Sequence, residues 1–319
     1  MAEWLHEQGI GEDRAILVEA SLILEAAIEL PGAHRAGAVV PARLTRILIP
    51  GRRGIATFAG GEALIEPLPH GLTEGGAFSA EILREPIPEP GRAKLAKLRA
   101  TDDGPRPAPA LAERLGARPA KADAFEQAGW SELLEEAMTG EIAFPGGALR
   151  MSLTPAMTLF DVDGSLPPGE LAEAGAEAAA RTIRRFDLGG SIGVDLPTIA
   201  DRAVRQAAAA AVDRVLPQPF ERTAVNGFGF LQIVRRRTRP SIPEILQGDP
   251  VGAAARALLR RAETAGGALA LHAAPAVIER IEAHPEWVAA IERRAGGRIA
   301  LRPEPGLAIS SGHVHQAQR

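Results

Sequence analysis

Apolar positions cluster over strand-length spans in the first third of the chain and over alternating strand and helix spans afterwards. Residues 14–29 carry two triplets, Ile16-Leu17-Val18 and Leu22-Ile23-Leu24, which predict two short strands around a turn. Between residues 37 and 97 short apolar runs (Val39-Val40, 44–49, 54–58, 63–65, 78–83) alternate with glycine and proline, and this punctuation predicts a small barrel. Residues 101–123 are proline-rich and weakly periodic, the signature of a loop or linker. Residues 124–139 then read as an amphipathic helix with Phe125, Trp130, Leu133, Leu134 and Ala137 near one face.

The central stretch alternates more regularly. Strands are predicted at 148–153 and 157–160, an alanine-rich helix at 170–186, a buried strand at 191–195, a helix at 199–216 and a strand at 228–236. That order predicts a layered α/β domain. From residue 250 a helix containing Leu258 and Leu259, a strand at 268–273, a helix at 277–293 and a strand at 298–301 predict a small α/β appendage. His313 and His315 fall in a tail for which disorder is expected.

Composition narrows the chemistry. With 319 residues, 46% hydrophobic and 24% charged, the chain is long enough for two or three domains with their own cores. A net charge of −4 removes the case for a uniformly basic coat, so contact with a polyanion must rest on local patches. The chain has no cysteine, which excludes disulfides, thiolate catalysis and cysteine-bound zinc. Its N-terminus lacks the pattern of a signal peptide and no apolar run is long enough to span a bilayer, so no membrane association and a cytoplasmic location are expected.

Asp161 and Asp163 close one apolar strand pattern, Asp195 closes another, and Arg235, Arg236 and Arg237 follow. Carboxylates are the ligands that a hard cation such as magnesium prefers, and it takes one or two of them together with phosphate oxygens. Guanidinium forks match phosphate oxygens, although alternation on a strand must turn at least one of the three arginines away from a shared groove. A competing reading makes the aspartates helix caps or turn residues.

Four motifs stand in order here: Phe144-Pro-Gly-Gly147, Met157-Thr-Leu-Phe-Asp-Val-Asp-Gly164, Arg184-Arg-Phe-Asp-Leu-Gly-Gly-Ser-Ile-Gly-Val-Asp195 and Gly229-Phe-Leu-Gln-Ile-Val-Arg-Arg-Arg237. Together they resemble the catalytic domain of the ribonuclease E/G family. The resemblance implies an α/β fold: a DNase I-like catalytic domain with RNase H-like segments and a small OB-type barrel insertion. It divides the chain into an RNase H-like segment (1–36), the barrel (37–98), a linker and helix in place of the family's 5′-sensor (99–143), the catalytic domain (144–248) and a small domain (249–319). It also implies Mg2+ held by Asp161 and Asp195, with Asp163 beside them as a third catalytic candidate. Single-stranded RNA would be contacted by Arg235, Arg236 and Arg237, and on the barrel by Arg43, Arg46 and Phe58.

The chain departs from the family pattern at Asp163, where the family has asparagine, at Gln232, where it commonly has glutamate, and at Gly227, where a bulkier residue is usual. The cysteine pair that joins family protomers through zinc is absent, so a homodimer without the zinc-linked tetramer is expected. The expected activity is magnesium-dependent hydrolysis of phosphodiesters in single-stranded RNA, indifferent to the 5′ end. Two alternatives stay open: a catalytically impaired RNA-binding regulator with the same fold, and a nuclease for DNA.

Overall fold

A computed structural model describes residues 1–317 except 33, 90 and 92. The chain opens with an antiparallel meander, β1 (Glu3–Gln8), β2 (Asp13–Glu19) and β3 (Leu22–Glu29). The predicted hairpin is β2 and β3. Next, β4 (Val39–Ile49), β5 (Arg53–Phe58), β6 (Gly61–Ile65), β7 (Ala77–Arg84) and β8 (Ala96–Ala100) close into a barrel in the order β4-β5-β6-β8-β7. Alternate residues point inward, so Leu44, Ile65, Ile82 and Leu98 are fully buried at its centre. The fold is therefore mixed α/β with a closed five-strand barrel.

The proline-rich stretch is more than a linker. It contains α1 (Leu111–Leu115), anchored by the buried Leu111, and β9 (Arg118–Pro119), which adds to β1 in parallel through Leu5↔Arg118 and His6↔Pro119. Two residues of pairing are too few to leave a periodic signal. The helix predicted at 124–139 is divided into α2 (Ala124–Gln127) and α3 (Trp130–Thr139), because Gly129 adopts φ +91 between them.

A six-stranded sheet forms the centre. Its members are β10 (Glu141–Phe144), β11 (Gly147–Leu153), β12 (Thr158–Gly164), β13 (Gly190–Asp195), β14 (Phe220–Arg222) and β15 (Phe230–Arg235), in the order β10-β11-β12-β13-β15-β14. The helices α4 (Pro168–Arg185) and α5 (Arg202–Val215) pack together, and α4 also lies against β3, β11 and β12. α4 starts with proline in its first turn, where the missing N–H has no partner to lose. α5 starts at Asp201, whose side chain accepts from the Ala203 N–H at 2.7 Å.

Small residues set how closely α4 approaches. Leu171, Ala172, Ala176, Ala179, Ala180 and Ile183 recur at helical spacing and are buried. A Cβ on Gly175 would stand only 2.4 Å from Val162 Cγ1, so glycine lets β12 lie against the helix. With Phe160 and Val162 committed to that core, strand alternation sends Asp161 and Asp163 to the opposite face.

After the sheet come α6 (Ile242–Gly248), α7 (Pro250–Ala265), β16 (Leu269–Ala273), α8 (Pro275–Glu282), α9 (Pro285–Ala295), β17 (Ile299–Pro303) and β18 (His313–Gln316). The predicted helix at 277–293 is split because Pro285 cannot continue α8 and instead opens α9. The tail expected to be disordered is β18, paired antiparallel with β16. The three strands form a sheet, β17-β16-β18, with one face on a core of Leu258, Leu259, Ile278 and Ile291.

Buried charge fastens this last unit to the first. Glu12 is reached by Arg14 at 3.1 Å, by Arg256 of α7 at 3.1 Å and by Arg260 at 2.5 Å. Burial pushes the Glu12 carboxyl up, but Arg260, Arg256 and Arg14 outweigh it and hold it below the ordinary glutamate value. Nearby, Gly11 (φ +75) sits so close to Trp287 that a Cβ would lie 2.5 Å from the indole.

Candidate functional site

The open face of the central sheet presents a transverse row of side chains. Register pairs Glu141 with Arg150, Arg150 with Asp161, Asp161 with Asp195, and Asp195 with Phe230. Paired residues on neighbouring strands project to the same face, so all five stand side by side on one surface. Asp161 and Asp195 occupy adjacent parallel strands, which places their backbones about 5 Å apart. Both are exposed, and among the described residues neither has an ion-pair or hydrogen-bond partner.

The capping alternative does not describe these aspartates. Asp161 lies inside β12, Asp195 ends β13, and the N-caps of α4 and α5 are Pro167 and Asp201. Asp163 points to the same face two residues beyond Asp161, about 7 Å along the strand. It is exposed opposite Ala148, beyond the last residue of β13. Two carboxylates are therefore adjacent and the third is set apart.

The arginine run lies elsewhere. In β15 Phe230 pairs with Asp195 whereas Arg235 pairs with Gly190, so the run begins roughly 16 Å along the strand from the aspartates. The three arginines expected to contact RNA therefore do not stand beside the carboxylates, because β15 is antiparallel to β13 and carries its C-terminal end away from them. Arg235 donates to the Leu188 carbonyl at 2.9 Å, and Arg237 bridges Glu89 at 3.2 Å and Glu244. Both help line a cavity of about 770 Å³ between the barrel's β7–β8 connection and the central sheet. Arg236 is the exposed member.

The barrel candidates form a separate group. Arg43 is exposed and bonds the Gly75 carbonyl, and Arg46 is exposed three residues further along β4. Phe58 is half-buried, packed edge-to-face on His34 with ring centroids 5.3 Å apart. Its face is thereby less open than a stacking platform needs.

Three residues on the open face were not singled out by the sequence. Arg150 borders Asp161, and among the described residues its one ion pair is an exposed 3.6 Å contact with Glu141. Phe228 is 82% exposed in the turn that leads into β15. Asn226 holds this turn by accepting from the Phe228 and Phe230 N–H groups at 2.9 and 3.0 Å. The Phe230 ring lies over Gly193, where a Cβ would approach it to 2.6 Å. Alternation of Leu149 and Met151 was the available signal for Arg150, and the Asn-Gly-Phe-Gly turn the signal for Phe228.

Gln232 is one strand repeat from the row, and its amide donates to Ser191 Oγ at 3.0 Å. On the small C-terminal sheet, ligating atoms of His272, Glu304 and His313 all lie within 4.8 Å of one another. No described helix is long and apolar enough to cross a membrane. The chain matches no protein-family model and no curated protein sequence.

Proposed function

We propose that this chain is a magnesium-dependent endoribonuclease of the ribonuclease E/G type, acting on single-stranded RNA. The observation that carries the reading is the register pairing of Asp161 with Asp195 on an exposed sheet face, where among the described residues no cation pairs with either carboxylate. Hard divalent cations favour oxygen ligands of this kind, so the donor set fits magnesium. When bound there, magnesium supplies an acidified water and a positive contact for a phosphate oxygen.

The remaining work falls to the side chains around the pair. Arg150 offers its guanidinium to a phosphate oxygen of the strand, at little cost because its ion pair to Glu141 is exposed. Phe228 offers an open ring face on which a base can stack beside the scissile linkage. Asp163, about 7 Å further along β12, adds negative charge to the same face. Arg236 and the barrel residues Arg43 and Arg46 extend the contact with backbone phosphates away from the reacting group. The expected products carry a 5′-phosphate and a 3′-hydroxyl.

A labelled single-stranded RNA incubated with magnesium tests the reading, beside the Asp161→Asn/Asp195→Asn double variant and a DNA strand of the same sequence. Cleavage of RNA by the native protein alone supports it. Equal degradation by protein and variant removes the catalytic assignment, and cleavage of both strands broadens it to a general nuclease. Binding without cleavage favours the regulator, a reading supported by Gln232, whose amide is tied to Ser191. The resemblance also implies a homodimer, which light scattering reads directly.

A further inference from the structure

The outer face of the small sheet carries an unusual density of imidazole. On β16, Leu269, Leu271 and Ala273 point into the core, leaving Ala270 and His272 outward. On β18 Val314 packs inward, leaving His313 and His315 outward. Register pairs His272 with His313 and Ala270 with His315. A His-x-His pair on one strand thus faces a third histidine on its neighbour. Glu304, just past β17, donates its N–H to the Ala273 carbonyl at 2.8 Å and brings its carboxylate to His272 Nδ1.

We propose that His272, Glu304 and His313 form a site for a divalent transition metal such as zinc, with His315 offering a fourth ligand. Imidazole and carboxylate together suit zinc and its neighbours in the first transition row, not magnesium or calcium. The ligating atoms of the three residues already converge within 4.8 Å. His315 stands with its ring centroid 4.8 Å from that of His313 and 5.3 Å from that of His272. His313 Nδ1 faces the Ser311 carbonyl at 3.4 Å, which leaves Nε2 for an ion.

Two features oppose ligation, and both are small. The His272 and His313 rings are stacked with centroids 5.1 Å apart and an interplanar angle of 5°, so at least one ring must turn to aim its nitrogen at a shared ion. His313 is partly exposed on the outer face of the sheet, where a side chain has more than one staggered rotamer open to it. Arg302 pairs with His272 from β17 and brings a positive charge, but it is exposed and its long stem lets the guanidinium swing into water. The site lies on a different sheet from Asp161 and Asp195, so its occupancy is independent of the proposed nuclease activity.

Titration calorimetry with zinc, and the visible absorption of added cobalt(II), test the proposal on the full chain. The expected result is one zinc or cobalt ion per chain at this site, retained in the Asp161→Asn/Asp195→Asn variant and not displaced by millimolar magnesium. His272→Ala and His313→Ala should each weaken zinc at least tenfold, Glu304→Gln should weaken it by a similar factor, and His315→Ala should weaken it less. Circular dichroism melts of the metal-free variants separate loss of ligands from loss of fold. Stoichiometric binding that survives in the His272→Ala/His313→Ala variant, or no saturable binding by the folded native chain, would overturn the assignment.

Discussion

Asp161 and Glu12 are both carboxylates, yet the fold surrounds them in opposite ways. Glu12 is buried and gripped by three arginines drawn from two distant parts of the chain. Asp161 and its neighbour Asp195 stand in water with no partner among the described residues. Burying an ionised group requires compensation, so Glu12 is explained by the architecture it fastens. Two like charges held side by side on an open sheet gain nothing for folding and repel each other weakly. Their placement is the feature on which the proposed cation site rests.

The sharpest way to break this contrast is to remove each charge without changing its shape. Asp161→Asn or Asp195→Asn should lower magnesium-dependent RNA cleavage at least a hundredfold, on the order of 3 kcal/mol in the barrier. The melting temperature should stay level or rise slightly, since exposed substitutions usually change stability by under about 0.5 kcal/mol. A variant that loses activity only by unfolding would place these aspartates with Glu12 instead.

Glu12→Gln should do the reverse. It removes the carboxylate that neutralises the buried Arg256, while Arg14 keeps its ion pair to Glu7 at 2.8 Å, and breaking such a cluster costs about 3 kcal/mol. Because the carboxyl is held below its ordinary value of 4.5, its stabilisation is present in full above that pH. It is lost as pH falls through the lower folded value. Urea melts of native and variant protein should therefore differ at neutral pH and converge in strong acid. A constant difference at every pH would mean that packing, not charge, fastens the two units.

The contrast also marks what the sequence can show. Apolar runs and helical spacing located the barrel, α4 and the buried strand β13, whereas the strand predicted at 157–160 runs on through Gly164 as β12, because its polar end still pairs with β11. The apolar runs placed Asp161 and Asp195 at strand ends, but that the two strands are neighbours was implied only by the resemblance. The direction of β15 was not: whether Arg235–Arg237 approach or leave the carboxylates depends on its being antiparallel to β13, a property of the sheet and not of the strand. Likewise β18 and β9 are too short to have a period, and become strands only because β16 and β1 supply an edge. His313 gains its chemical company from Ala268–Ala273, more than forty residues away in the chain, which no local pattern reports.

Phe228 and Phe230 offer a finer test within the open face. Phe230 covers Gly193 and packs against the sheet, whereas Phe228 projects into water from a turn fixed by Asn226. Phe228→Ala should weaken binding of single-stranded RNA about tenfold, near 1.4 kcal/mol within the range for one stacked base, with no loss of stability. Phe230→Ala should lower stability as well. If Phe228→Ala leaves affinity for RNA unchanged, the strand does not cross this end of the sheet.

Asp187 lies between the two extremes and gives the smallest effect. It follows α4 with φ +52, at the wall of a small cavity that also holds Arg114 and Arg184. Burial raises its carboxyl to about 6, and Arg235 and Arg114 only partly offset this. A raised value means that the fold favours the protonated form. That contribution is complete below the ordinary value of 3.8 and is lost as pH rises through 6. Asparagine imitates the protonated acid and tolerates the left-handed backbone. Asp187→Asn should therefore stabilise the protein by about 1 kcal/mol above pH 7, discounted for the water that still reaches the side chain, and by almost nothing near pH 4. Melts across that range read the difference. Destabilisation at pH 8 would show that the attraction of Arg235 outweighs burial, which would make Asp187 a second, weaker Glu12.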